Sequence, residues 1–184
     1  MTSTASIYLP IAKKAGLVTA SHARSAGTDP GLKGLITRIL RRNLSPKADY
    51  LLTCSELAGI AVYGQKAVDN GQTIFLPNAI YCSKFTFNKE TRDSIRSELG
   101  IEDKLVLGHV GRFHYAKNHT YLIHAYAEFL KAYDKDCVLL LIGDGPLKPD
   151  TEELVNTLGI ADKVIFAGNK SSIYNYYMAM DLFV

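Results

Sequence analysis

In the second half of the chain, apolar residues come in short runs, each closed by glycine and followed by a stretch of helical spacing. Residues 106–110 (VLGHV) stop at Gly111, 138–142 (VLLLI) at Gly143-Asp144-Gly145-Pro146, and 164–167 (VIFA) at Gly168. Runs of this length bounded by turn residues predict buried strands. Between them Asn118 opens an amphipathic pattern, residues 152–158 return to helical period, and Ser171-Ser172 open a further helix before the run 181–184. Alternating strands and helices predict an α/β chain with a parallel sheet built from right-handed crossovers. Ligands of such sheets sit beyond the carboxyl ends of the strands. Segments 111–117, 143–146 and 168–170 all fall on that edge.

The first half is less regular. Residues 74–76 read as a strand ended by Pro77-Asn78, residues 85–88 as irregular, and 89–99 resume helical spacing up to a stop at Gly100. This predicts two domains, 1–85 and 86–184, joined by a hinge; the alternative is a loop inside one α/β domain. In segment 31–44, Leu32, Leu35, Ile36, Ile39, Leu40 and Leu44 share one helical face, while Lys33, Arg38, Arg41 and Arg42 lie mostly away from it. Such a helix either settles on an anionic membrane or packs its stripe on its own domain and solvates its basic face.

Composition narrows the classes. Lys plus Arg exceeds Asp plus Glu by 21 − 18 = 3 in 184 residues, too little to argue for a nucleic-acid partner. The three cysteines form no CxxC pair, so neither a zinc site nor a disulfide framework is indicated, and reduced thiols in a cytoplasmic protein are expected. No apolar run approaches the roughly 20 residues of a membrane span. The start, MTSTASIYLPIAKKAG, lacks the charged-then-apolar order of a signal peptide. Gly143-Asp144-Gly145-Pro146 has no third glycine where a dinucleotide fingerprint needs one, no P-loop is present, and no carboxylate pair suggests a glycosidase.

Candidate chemistry concentrates where the first of the later strands ends. Gly111 lets the backbone come close to a ligand, Arg112 and Lys117 follow, and a helix begins at Asn118. Helix N-termini bind anions through free N–H groups and the positive dipole end, so two cations beside this turn predict a phosphate-bearing ligand. Ser55 reads first as a helix N-cap, with Thr53 and Glu56 offering a capping box. Asp144 reads as a turn residue. His22, after the apolar pair Leu17-Val18, reads as a polar residue at a strand end.

Taken in order, HVGRF…KN (109–118), LLLIGDGP (139–146), LGI.DKVIFAG (158–168) and a Tyr-rich helix ending in MDLFV resemble the carboxyl-terminal, nucleotide-binding half of family 4 glycosyltransferases. SHARSAG (21–27), TCSELAG (53–59) and LPNAI…F (76–85) resemble the amino-terminal half of that family's bacterial capsule and exopolysaccharide branch. The resemblance implies the GT-B fold, two Rossmann-like parallel-sheet domains, both incomplete here. The family's first strand and glycine-rich loop have no counterpart before Ile7, and its Glu-rich motif would follow Val184. The expectation is therefore the middle portion of a larger enzyme, inactive by itself; the rival reading is a non-catalytic remnant with weak nucleotide binding.

The implied reaction is retaining transfer of a hexosyl-type sugar from a nucleotide diphosphate sugar to a lipid-linked glycan, without a metal or other cofactor. His22, Arg112 and Lys117 would be catalytic. Gly111, Gly143, Gly145, Phe166 and Gly168 would bind the donor together with the two cations. Arg24 and Ser55 would serve the acceptor or donor side. Work on lipid-linked acceptors also fits contact of 31–44 with the inner face of an anionic membrane.

Overall fold

Strand-forming residues pair within two separate parallel sheets. The computed structural model describes residues 2–27, 31–41 and 44–184, and the chain divides into two units, Met1–Ile80 and Tyr81–Val184.

The first unit runs α1 (Thr2–Lys14), β1 (Ala20–Ala23), α2 (Gly31–Arg41), β2 (Tyr50–Thr53), α3 (Glu56–Tyr63), α4 (Gln65–Asp69) and β3 (Thr73–Phe75). Its strands are parallel in the order β1-β2-β3. Side chains alternate across the sheet, so Ser21, Ala23, Leu51 and Thr53 are buried beneath Ala58, Val62 and Tyr63 of α3. The Tyr63 hydroxyl donates to the Ser21 carbonyl at 2.7 Å and so ties α3 to β1. Asp49 anchors the end of α1: it accepts from the Thr19 N–H at 2.8 Å and pairs with Lys13 at 2.8 Å. The Lys13 contact chiefly, and the Thr19 donors next, hold its carboxyl down at about 2.

Two expectations change here. The apolar pair Leu17-Val18 is exposed, and the strand begins only at Ala20, so His22 lies inside β1 and pairs across to Leu52. Small residues at 21 and 23 face the core, and the larger apolar pair finds no layer to enter. In α2 the apolar stripe is not packed on its own unit: Leu32 and Ile39 are 72% and 64% exposed, Leu35 and Ile36 are also exposed, and only Leu44, beyond the helix, is fully buried. Arg42 and the Lys33 side chain lie outside the described residues.

The second unit runs α5 (Lys89–Leu99), β4 (Leu105–Val110), α6 (His119–Ala132), β5 (Cys137–Ile142), α7 (Lys148–Thr157), β6 (Val164–Gly168), α8 (Ile173–Ala179) and β7 (Leu182–Phe183). All pairings are parallel, in the order β6-β5-β4-β7. The order therefore reverses at β4, and crevices at the carboxyl ends beside such a reversal are where α/β sheets bind ligands. All six residues of β5 are buried. Val138, Leu140 and Ile142 enter one core while Cys137, Leu139 and Leu141 enter the other, because helices cover both faces. Each buried Leu or Ile contributes about 2 kcal/mol.

Gly100 ends α5 in the left-handed conformation, φ 65°, as its position predicts. Helix α7 starts four residues before the periodic segment at 152 because Pro149 suits a first helical turn. Gly108 sits mid-strand because a Cβ there would lie 2.1 Å from Met180 Sδ. Asp181 fastens the edge strand: it accepts from the Val106 N–H (2.8 Å), Arg92 Nη2 (2.5 Å) and Arg96 Nη1 (3.2 Å). Phe85 belongs with this unit, its ring 5.8 Å from that of Tyr177. Among the described residues no helix is long and apolar enough to cross a membrane.

Candidate functional site

Three turns leave the carboxyl edge of the second sheet and are laced together by backbone hydrogen bonds. The Gly111 N–H donates to the Ile142 carbonyl (2.9 Å), Gly143 to Gly168 (2.9 Å) and Phe113 to Asp144 (3.0 Å). The close approach explains the glycines. A Cβ on Gly143, where φ is +139°, would stand 2.1 Å from the Gly111 carbonyl oxygen, and one on Gly145 would stand 2.4 Å from that of Phe113. The Gly-Asp-Gly sequence is thus first a requirement of turn nesting against turn. Asp144 closes its own turn by accepting from the Gly145 N–H at 2.7 Å.

The laced turns wall a cavity of about 410 Å³. Val110, Gly111 and Arg112 come from the end of β4, Ile142, Gly143 and Asp144 from β5, Asn169 and Lys170 from the turn after β6, and Ile173 from α8. Lys117 does not line this cavity, but its Cγ and Cδ pass 3.3 Å from where a Gly111 Cβ would be. Its stem therefore lies against the same turn that carries Arg112. Among the described residues neither cation, both exposed, has a recorded ion pair.

Asn118 has φ 48° and ψ 47°, a left-handed geometry that asparagine tolerates better than most residues, and its side chain makes no cap to α6. The first N–H groups of this helix, 14 residues long, are therefore uncapped by a side chain, and its start lines a separate cavity of about 190 Å³.

The other expected donor residues are placed as follows. Gly143 lines the cavity, while Gly145 is occupied against Phe113. Gly168, with φ +68°, presents its carbonyl to Gly143. The Phe166 ring turns inward, 6.0 Å from Phe113, and this residue does not line the cavity. In the first unit His22 is half-buried with Nε2 unpartnered among the described residues. Arg24 Nη2 donates to Asn78 Oδ1 at 3.1 Å on the exposed surface. Ser55 is the N-cap of α3, accepting from the Ala58 N–H at 3.2 Å; Thr53 instead donates to the Ser55 carbonyl, so the expected capping box with Glu56 does not form.

Sequence reasoning did not single out Lys170. Its ammonium sits 4.9 Å over the Tyr176 ring, and this contact favours its charged form. The Tyr176 hydroxyl in turn donates to Glu98 Oε1 at 3.3 Å. Its place directly after a strand-ending Gly168-Asn169 was the available signal.

Two parallel α/β units, with cations gathered at the strand ends of the second, define a GT-B-type α/β protein. Anabaena HepE in complex with UDP and glucose superposes with a TM-score of 0.83 at 18% identity, over 100% of this chain and 50% of that one. The profile of the family described as glycosyl transferases group 1 matches residues 91–184, and the chain belongs to that family. EpsF of Bacillus subtilis, which is named a glycosyltransferase, is 34% identical over 147 residues, 79% of this chain and 38% of that protein. The N-acetylgalactosamine-N,N'-diacetylbacillosaminyl-diphospho-undecaprenol 4-alpha-N-acetylgalactosaminyltransferase of Campylobacter jejuni is 29% identical over 149 residues, 81% of this chain and 38% of that protein. The chain thus spans well under half the length of these relatives and half that of HepE.

Proposed function

We propose that this chain is the donor-binding part, with a portion of the acceptor-side domain, of a retaining glycosyltransferase of bacterial extracellular polysaccharide synthesis. It would take a sugar from a nucleotide diphosphate sugar and pass it to a lipid-linked glycan at the cytoplasmic face of the membrane. The observation that carries this reading is that Arg112 lines the cavity at the Gly111 turn while the Lys117 stem lies against the same turn. Relatives lend chemistry to it: HepE has been seen in complex with UDP and glucose, and the Campylobacter enzyme is named for a diphospho-undecaprenol acceptor.

As the glycosidic bond breaks, negative charge grows on the departing nucleotide diphosphate. Pre-aimed cations and N–H groups stabilise that charge more in the transition state than in the ground state. On this reading Arg112 and Lys117 supply the charge without a metal, Gly111 and Gly143 allow the phosphates close approach, and the 166–168 backbone borders the base. The roles of His22, Arg24 and Ser55 rest on the resemblance of 21–27 and 53–59 to the family. The exposed apolar stripe of α2, with Arg38 and Arg41 on the same helix, supports contact with an anionic lipid surface.

Thermal-shift screening of UDP-, GDP- and ADP-sugars tests the core of this reading, since a ligand of the native state raises its melting temperature. One nucleotide series should stabilise the chain, and Arg112→Ala and Lys117→Ala should each weaken it by roughly ten- to a hundred-fold, the worth of a charge-assisted hydrogen bond. Absence of any shift, or unchanged affinity in both variants, would refute the phosphate role.

A further inference from the structure

Lys170 lines the same cavity as Arg112 but comes to it from another strand end. Arg112 follows β4 and Lys170 follows β6, with β5 between them. Neighbouring strands lie roughly 4.8 Å apart, so the two turns leave the sheet about 10 Å from each other. The backbone of both turns cannot therefore hold one phosphate. The separation is instead that between the phosphates of a nucleotide and the far edge of its base. With a diphosphate on the Gly111 turn, a nucleotide lying across the end of β5 passes over Gly143, which has no side chain to block it, and brings its base to Asn169 and Lys170. Val110, Ile142 and Ile173 give the cavity the apolar lining that a planar ring needs.

The Lys170 side chain is held in place. Its ammonium stands 4.9 Å over the ring of Tyr176, which is 7% exposed and fixed in turn by its hydroxyl, which donates to Glu98 Oε1 of α5. The Tyr176 contact first, and the Glu98 charge after it, favour the ammonium over the neutral amine. A ring face attracts an ammonium but leaves N–H donors to spare, and these call for an acceptor oxygen. Asn169 beside it is exposed, and its amide carries both donor and acceptor, so by turning over it suits either kind of base edge. Lys170 can only donate.

The geometry points to Lys170 as the residue that selects the base of the donor nucleotide, with Tyr176 as the residue that positions it. The ammonium donates to a ring carbonyl oxygen, as uracil or guanine presents, and discriminates against the exocyclic amino group that cytosine or adenine carries in its place. An amino group meets the ammonium donor to donor, and the pair is left unmatched. This deepens the donor reading of the cavity and rests on it.

Calorimetric titration of the 184-residue chain with two pairs of nucleotides, UDP against CDP and IDP against ADP, tests the selection. Members of each pair have the same shape and differ where a carbonyl with its ring N–H is exchanged for an amino group and a bare ring nitrogen. In whichever pair binds more tightly, the carbonyl member should be favoured about ten- to a hundred-fold, the worth of a charged hydrogen bond. Lys170→Met, which keeps the apolar stem, should bring the two members level, and Tyr176→Leu should narrow the ratio in the same direction. Lys117→Ala should weaken both members together and leave the ratio intact. Equal binding of both members by the unaltered chain overturns the proposal, and so does a ratio that survives Lys170→Met. If Lys170→Met instead weakens both members alike, Lys170 serves phosphate or ribose and the selection is wrong. A ratio untouched by Tyr176→Leu removes the positioning role; should that variant not fold, the unaltered chain and Lys170→Met still decide the selection. If none of the four nucleotides binds at millimolar concentration, the donor reading itself fails and takes the selection with it.

Discussion

The two units use the same parallel α/β grammar and bury it to different extents. In the second, β5 is buried at every position and its alternate residues feed two cores. In the first, Ile74 and Phe75 of β3 are exposed, as are Ile7, Tyr8 and Ile11 of α1 and most of the α2 stripe. The second unit buries its central strands on both faces, although Leu182 and Phe183 of its edge strand β7 are exposed, and carries Arg112 and Lys170 at one edge. The first presents an apolar and basic surface. On the proposed function, the edge of the second unit is where a nucleotide would bind and the exposed α2 face of the first is where lipid contact would be sought.

The sharpest way to break this contrast is at its glycines. Gly143→Ala puts a Cβ against backbone at a positive φ and should cost the second unit about 3 kcal/mol or more. Gly59→Ala in the first unit meets only Val68 Cγ2 at 3.2 Å and Thr53 Oγ1 at 3.3 Å and should cost about 1 kcal/mol. Native-state hydrogen exchange of β5 against β2 amides reads the two units separately; equal losses would contradict the contrast. Asp181→Ala strands Arg96, whose side chain is buried among backbone carbonyls, and should lower β4 protection by about 3 kcal/mol while leaving β2 unchanged.

Acid should divide the units next. The unfolded His119 imidazole takes up a proton near 6.5, while the folded one resists until about 4, so its contribution is complete above 6.5 and is lost as pH falls. Between pH 7 and pH 5 the second unit should lose about 2 kcal/mol by chemical denaturation, and His119→Phe should remove that slope. Asp49 in the first unit has its folded pKa depressed from 3.8 to about 2, so its contribution holds across this window and fades only below 3.8. The smallest effect on stability is expected at Leu35→Glu on the exposed face of α2, within about 0.5 kcal/mol. The same change should abolish binding to anionic vesicles if that face meets lipid, and unaltered vesicle binding would remove α2 from the argument.

Much of the second unit was legible in the sequence. Runs at 106–110, 138–142 and 164–168 became β4, β5 and β6 within a residue, because each is a short apolar-rich run bounded by turn residues; β5, buried on both faces, is the unbroken one. Gly100 and Asn118 marked helix boundaries for reasons of backbone conformation, which residue type reports directly. The first unit was harder. Helix α1 contains Pro10 and carries no strong stripe, and β1 is a run of small and polar residues, so neither offers the periodicity that reveals an element. Arg112 was legible as a site candidate because charge after a strand-ending glycine is visible locally. Segment 168–170 was legible as lying on the same sheet edge, but that Lys170 shares a cavity with Arg112, nearly 60 residues earlier, follows only once β6 and β4 flank β5.

By itself, the sequence determined where chain direction changes, which strands are buried and where cations follow a strand end, since each depends on residues a few positions apart. Only the tertiary structure decided that Gly143 and Gly145 serve the nesting of one turn on another, that Phe166 turns inward, and that His119 stacks on Phe113. Those outcomes depend on which turns the parallel sheet brings side by side, and on how much water the packing leaves between them.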